Sequence, residues 1–199
     1  MSRTCVVQYS DKGWNDPLLK LSISQHREHC RRFGYYYHLE TRPRFCIQRH
    51  IYWEKVISIS RALNELMLEC DNLVWLDTDA YWLGNEPLTP EFDTPFAAVR
   101  HRNPSHFNCG VLYCKVNSEV DKLVDLWWKS SCHNHQWQDQ HAFNLLVESN
   151  QIACTQIDKK YNSTFGTADY ISPNPVVAAW HGCSNREAEM ASFIERHSR

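Results

Sequence analysis

Two carboxylates at the end of an apolar run are the residues best placed to do chemistry. Leu73-Val74-Trp75-Leu76 passes directly into Asp77-Thr78-Asp79. In an open α/β sheet, ligands bind just outside the carboxyl ends of the strands. Two carboxylates set two apart at such a place repel each other and lose solvation unless they are paired. A divalent cation resolves both costs, and carboxylate oxygens suit Mg²⁺ or Mn²⁺. A metal held there commonly clamps phosphate oxygens. The plain alternative is a turn that is merely acidic. Tyr81 and Trp82 follow, either beside the site or in the core.

Completing such a site takes residues from other strand ends and helix starts. Val176-Val177-Ala178-Ala179-Trp180 is a second apolar run, and His181 stands at its tip, where a neutral imidazole can coordinate a metal. Gly182 would let a phosphate approach the backbone. A capped strand with a surface histidine is the bland reading of the same residues. Lys55, in Trp53-x-Lys55, opens a helix, where a cation opposes the dipole and wants an anion, whether phosphate or solvent ions. Asp139, in Gln138-Asp139-Gln140, opens another, which favours a carboxylate for helix reasons alone and equally suits a sugar hydroxyl or a reacting carbon. Asn108-Cys109-Gly110 follows a polar loop and fits either a turn or a close polar contact with a ligand.

The elements that must position these residues alternate. Thr4 to Tyr9 reads as a buried strand. Asp16-Pro17 supplies an N-cap and a first-turn proline for a helix through Phe33, closed by Gly34. Tyr35 to Leu39 reads as a strand, Trp53 to Cys70 as a helix by its apolar spacing, and Leu73 to Leu76 as a strand. Strands are expected at Phe96 to Val99, Val111 to Val116 and Val176 to Trp180, and helices at Ser118 to Ser130, Gln138 to Glu148 and Asn185 to His197. This order predicts an α/β domain with a mixed, mainly parallel central sheet flanked by helices.

Composition limits the alternatives. The chain has 199 residues with no repeat or linker, so residues 1–199 are expected to form a single domain. Hydrophobic residues at 43% exclude a disordered chain, and a net charge of −2 excludes the basic excess of nucleic-acid binders. No apolar run has the length of a membrane span, and the N-terminus lacks a signal-peptide pattern, which points to a cytoplasmic protein. The nine cysteines are irregularly spaced without C-x-x-C, as suits reduced thiols. Asn162-Ser163-Thr164 fits an N-glycosylation pattern, which without a signal peptide reads as a chance match.

Taken in order, these residues resemble a known family. A first strand with a polar tip, a W-x-K helix start, an apolar strand into D-x-D, an N-x-G segment, a D-Q helix start and a late strand into H-x-C run from Thr4 to Cys183. The set resembles metal-dependent glycosyltransferases of the GT-A fold, a Rossmann-like nucleotide-diphospho-sugar transferase domain. The nearest patterns are retaining galactosyl- and xylosyltransferase-like and glycogenin-like enzymes. The small size also resembles the glycosyltransferase domain of a chlorella virus, which would place the chain in the host cytoplasm.

The resemblance implies roles for particular residues. Asp77, Asp79 and His181 would hold Mn²⁺, or Mg²⁺, on the diphosphate of a UDP-sugar, with Asp79 the stronger ligand and a catalytic residue. Gln8, Tyr9 and Ser10 would meet the nucleoside, with Asp11 and Trp14 as neighbours and Thr78 beside the donor. Lys55 would lie near the donor. Asn108 and Gly110 would face the transferred sugar, with Asp139 and Gln140 beside them, and Asp139 would support positive charge on the sugar. Gly182 and Cys183 continue the late motif, but no lysine follows as in glycogenin-like enzymes, so Arg100 or Arg102 would replace it near the diphosphate. The expected reaction moves a hexose-type sugar to a hydroxyl of a glycan or glycoprotein acceptor, with retention at the anomeric carbon. Little chain remains after His181 to build an acceptor site, which fits one domain of a larger enzyme.

Three other readings compete. A haloacid-dehalogenase-like phosphohydrolase also places D-x-D after an apolar strand, with the first Asp as nucleophile. That class carries the motif near its N-terminus with a second acidic pair, and neither holds here. A zinc module could use Cys132, His133, His135 and His141, but the paired spacing of a zinc finger is missing. A degenerate fold that only binds sugar would be expected to lose the D-x-D or His181, and both are present.

Overall fold

The computed structural model describes residues 3–101, 106–130, 137–166, 171–181 and 183–197. Strand β1 (Thr4–Tyr9) is buried along its whole length, as its apolar run requires. Helix α1 (Pro17–Phe33) starts where Asp16 accepts from the amides of Leu18 and Leu19, and it stops at Gly34, whose φ of 70° is left-handed. Strand β2 (Tyr36–Glu40) follows. A 3-10 turn at Ile51–Trp53 leads into α2 (Glu54–Leu66). This helix ends before Cys70. The amides of Glu69 and Cys70 both turn back to the carbonyl of Leu66, which leaves Leu68 exposed.

Strand β3 (Asn72–Leu76) is followed, after the Asp77–Asp79 turn, by the short β4 (Ala80–Trp82). Then come β5 (Phe96–Arg100), β6 (Phe107–Lys115), α3 (Ser118–Lys129), α4 (Gln138–Glu148), β7 (Cys154–Gln156), β8 (Ser163–Thr164), β9 (Val177–Ala179) and α5 (Arg186–His197). The main sheet has six strands in the order β2-β1-β3-β6-β5-β7. Three of its five strand pairs are parallel, and β6 runs antiparallel to both of its neighbours. The expected mixed, mainly parallel sheet is therefore present. Strand β9 lies outside it, in a small sheet ordered β4-β9-β8, where its short apolar run pairs antiparallel with β4.

Alternate residues of β1 and β3 face opposite layers. Val7 and Leu73 pack with Val56, Ile59 and Leu63 of α2 and with Val124 and Trp127 of α3. Val6 and Val74 pack on the other side with Cys30 of α1, Trp82 and Val177. Helix α5 closes on a third cluster through Met190 and Phe193, which meet Tyr81 and Trp180. Trp53, Trp82, Trp127 and Trp180 are wholly enclosed, so core filling accounts for much of the tryptophan content. The described cysteines are free thiols, and Asn162 is buried, so the N-glycosylation match is closed off by the fold. Among the described residues no helix is long and apolar enough to cross a membrane.

One polar network fixes the wall beside the strand ends. Glu40, at the end of β2, accepts from Ser58 at 2.8 Å and Arg61 at 2.8 Å on α2, and from Arg42 at 3.0 Å. Glu54 takes Arg42 at 2.7 Å and the amides of Phe45 and Cys46, tying the connecting loop to the start of α2. Burial raises the Glu40 carboxyl, but His38, Ser58 and the arginines outweigh it and hold the group down at about 2. A depressed carboxyl stabilises the fold above its unfolded pKa, and that stability fades as pH falls toward the folded value. Glu40→Gln should cost about 2 kcal/mol at neutral pH. Thermal unfolding of both forms should show the difference shrinking between pH 4.5 and about 2.

Candidate active site

The Asp77–Asp79 turn leaves β3 at its carboxyl end and is pinned on both sides. The Asp77 amide donates to the Gly110 carbonyl of β6 at 2.8 Å, and the Trp180 amide donates to the Asp79 carbonyl at 3.0 Å. Two buried strands thus fix the backbone from which the carboxylates project. Asp77 Oδ1 accepts the Trp75 indole N–H at 2.6 Å and lies 3.2 Å from Lys55 Nζ. The same ammonium is 3.3 Å from Asp139 Oδ2. Asp79 Oδ2 takes Arg186 at 2.7 Å, and its Oδ1 lies 2.9 Å from His181 Nδ1.

These groups are largely removed from water, with Asp79, Lys55 and Asp139 each less than a tenth exposed. Burial alone would push the Lys55 ammonium down, but Asp77 and Asp139 outweigh it and hold the ammonium well above the ordinary lysine value. Burial raises the Asp77 carboxyl, and Lys55 offsets only part of that. Burial would also raise Asp79, yet His181 and then Arg186 hold it well below the usual range. Burial would lower His181, and Asp79 more than compensates.

The donor set fits a divalent ion. One ligand atom each from Asp77, Asp79 and His181 lies within 4.8 Å of the others, the one such group among the described residues. His181 Nε2 is buried without a hydrogen-bond partner, and the buried Asp79 Oδ1 and Asp139 Oδ2 each meet a single cationic side chain, His181 and Lys55. Buried polar atoms with so few partners are costly, and a further cation satisfies them. Two carboxylates with an imidazole suit Mn²⁺ or Mg²⁺ among the hard to borderline ions.

A cleft of about 380 Å³ opens beside this cluster. Tyr9, Ser10 and Asp11 line it from the end of β1, Asp16 from the start of α1, Lys55 and Trp75 from its floor, and Asp77, Thr78 and Asp79 from the turn. The structure thus brings six of the expected donor residues, Tyr9, Ser10, Asp11, Lys55, Asp77 and Thr78, to one opening. Gln8 is not among them. Its side chain shares the Val6 face of β1, where its carbonyl accepts from Tyr37 at 2.6 Å and from His26 Nδ1 at 3.0 Å. Burial holds His26 down at about 3, so the ring is neutral, with Nε2 accepting from the Trp82 amide at 3.0 Å. Trp14 also lies off the cleft, half-exposed, with the Arg27 guanidinium 5.4 Å above its ring.

Asn108 and Gln140 hold the backbone of β6. Asn108 Oδ1 accepts from the Gly110 amide at 2.6 Å, and its amide group contacts His101. Gln140 Oε1 accepts from the Cys109 amide at 2.9 Å. Gly110 sits directly beneath the His181 ring, where an added Cβ would strike the ring's Cε1 and Nε2. Arg100 lies over the Phe107 ring at 4.2 Å and is not among the cleft residues. Cys183 donates to the Phe165 carbonyl at 3.1 Å, with burial holding its thiol up at about 11. Gly182, Arg102 and the Cys132–His135 segment lie outside the described residues.

Sequence reasoning missed Arg186, His50 and Tyr52, which also line the cleft. The signal for Arg186 was legible. It opens α5 as Lys55 opens α2, a cation at the wrong end of a helix.

No protein-family profile matches the chain, and no curated protein matches it in sequence. Two of the solved structures that share the fold are glycosyltransferases. One is a glycosyltransferase involved in the glycosylation of the major capsid of PBCV-1, with a TM-score of 0.77 and 14% identity over 97% of this chain and 98% of that one. The other is the galactosyltransferase LgtC in complex with donor and acceptor sugar analogues, with a TM-score of 0.55 and 13% identity over 95% of each chain. The architecture of this chain is accordingly the GT-A fold.

The contact between Gly110 and His181 gives a direct check. Gly110→Ala should displace the imidazole and weaken Mn²⁺ binding by about tenfold or more. Titration of Mn²⁺ followed by its electron paramagnetic resonance signal measures this, with circular dichroism confirming the fold.

Proposed function

We propose that this chain is a metal-dependent glycosyltransferase. It moves a hexose-type sugar from a nucleotide-diphosphate donor, a UDP-sugar, to a hydroxyl of a glycan or glycoprotein acceptor with retention at the anomeric carbon. One observation carries the reading. The ligand set of Asp77, Asp79 and His181 stands at the mouth of a cleft outside the carboxyl ends of β1 and β3, in an architecture that two glycosyltransferases share.

When bound, Mn²⁺ or Mg²⁺ supplies Lewis-acid charge to the leaving diphosphate. The chain's own residues do the rest. Asp77, Asp79 and His181 hold the ion. Tyr9, Ser10, Asp11 and Thr78 receive the nucleoside side of the donor. Lys55, clasped by Asp77 and Asp139, fixes both carboxylates and keeps a positive charge beside the leaving group. Asp139 supports positive charge on the sugar as its bond to phosphate breaks. A carboxylate so closely tied to an ammonium is poorly placed to take a proton from an acceptor, which favours retention over inversion.

The hydrolase reading fares less well. A nucleophilic Asp77 would need a free oxygen, whereas Trp75 donates to its Oδ1 and Lys55 contacts both oxygens, at 3.2 and 3.4 Å. Residues 1–199 act as one domain, alone or within a larger enzyme, in a cytoplasmic setting that the free thiols also suit.

Nucleotide release from a panel of UDP- and GDP-sugars, with Mn²⁺ and with chelator, tests the activity. A UDP-sugar should turn over only with metal. Asp139→Asn should lower kcat by about a hundredfold or more while leaving the donor KM within a few-fold. Wild-type turnover in that variant would make Asp139 structural, and phosphate release from a simple phosphomonoester would restore the hydrolase reading.

A further inference from the structure

The cleft contains two long cations, and they are held differently. Lys55 is 9% exposed and sits between two carboxylates. Arg186 is 52% exposed and reaches Asp79 from across the cleft mouth. Its backbone is secured, because α5 packs Met190 and Phe193 against Trp180. Its side chain is long and half-exposed, with the 2.7 Å contact to Asp79 at its tip.

Arg186 also stands where a cation is disfavoured, at the first position of α5. The contact with Asp79 offsets that cost. Yet Asp79 belongs to the metal-ligand cluster, and the oxygen that Arg186 holds belongs to the same carboxylate that faces His181. A cation bound to the Asp79 carboxylate repels the guanidinium and leaves less negative charge for it. An ion arriving at Asp79 therefore weakens the Arg186 contact, and the Arg186 contact weakens the ion's hold, by the same factor.

A guanidinium released at this place has one obvious alternative partner. Its planar fork of donors matches phosphate oxygens, and the reading above puts a diphosphate at this ion. We propose that Arg186 is an electrostatic latch. It holds Asp79 in the metal-free cleft and transfers to the donor's diphosphate once the ion is bound, which couples ion and nucleotide binding. This inference rests on the donor-site reading and adds a regulatory residue to it.

The latch predicts effects of opposite sign from one substitution, which a merely structural arginine would not produce. Mn²⁺ binding is measured by the paramagnetic resonance of free ion on the intact chain, with and without UDP. UDP binding is measured by calorimetry at saturating Mn²⁺. Arg186→Ala should bind Mn²⁺ alone about three- to fivefold tighter than wild type, as expected for loss of a competing exposed ion pair. The same variant should bind UDP with Mn²⁺ about tenfold more weakly, for loss of a charge-assisted phosphate contact. Arg186→Lys should fall between wild type and Ala in both. Weaker binding of Mn²⁺ alone in Arg186→Ala, or unchanged binding of both ligands, overturns the latch and leaves Arg186 as a prop for Asp79. Failure of folded wild-type protein to bind Mn²⁺ and UDP at all would instead overturn the donor-site reading, and the latch with it.

Discussion

Like charge held out of water is the constraint on which this site depends. Asp77, Asp79 and Asp139 converge at the carboxyl end of the sheet, where none is fully solvated. Their mutual repulsion grows as the surrounding dielectric falls. Lys55, buried between two of them, makes the arrangement tolerable, and His181 and Arg186 answer the third. The compensation stops short of complete. A ring nitrogen of His181 remains without a hydrogen bond, and the buried oxygens Asp79 Oδ1 and Asp139 Oδ2 each meet a single cationic side chain. A site balanced in this way has room for one more cation, and the fold invests many contacts in keeping it so.

Those contacts explain the scaffold. Two strands pin the backbone of the Asp77–Asp79 turn, so the carboxylates cannot drift apart to relieve repulsion. Trp75 holds Asp77 from its own strand. Gly110 leaves the space that the His181 ring fills. Glu40 and Glu54 lock the loop beside α2, and with it the start of the helix that carries Lys55. The acidic cluster is thus held by elements that are individually ordinary and jointly rigid.

Much of this was legible in the sequence because the relevant signals are local. Asp16-Pro17 and Gly34 mark both ends of α1, and the apolar run before Asp77 marks β3. Lys55, Asp139, Asp77, Asp79 and His181 were each found by type and position, and the fold brings all five together. What escaped was decided by tertiary contacts. Strand β6 begins at Phe107 because Asn144 and Gln140 on α4 bond its polar start, which the pattern of apolar residues cannot reveal. The short strands β4, β7 and β8 carry too few residues for a period to register. Gln8 lies one residue from the cleft, but strand alternation turns it to the opposite face, where His26 waits. Arg186 stands far along the chain from Asp79, and only the closing of α5 onto Trp180 brings the two into contact.

The central claim is that the acidic cluster holds a divalent ion which in turn holds a nucleotide diphosphate. Calorimetric titration of UDP into the protein, with Mn²⁺ and then with chelator, in wild type and in Asp79→Ala, tests it most directly. The account predicts saturable UDP binding in wild type with Mn²⁺, with loss of that binding both on chelation and in the folded Asp79→Ala variant. UDP binding that survives chelation and the substitution undiminished would contradict it.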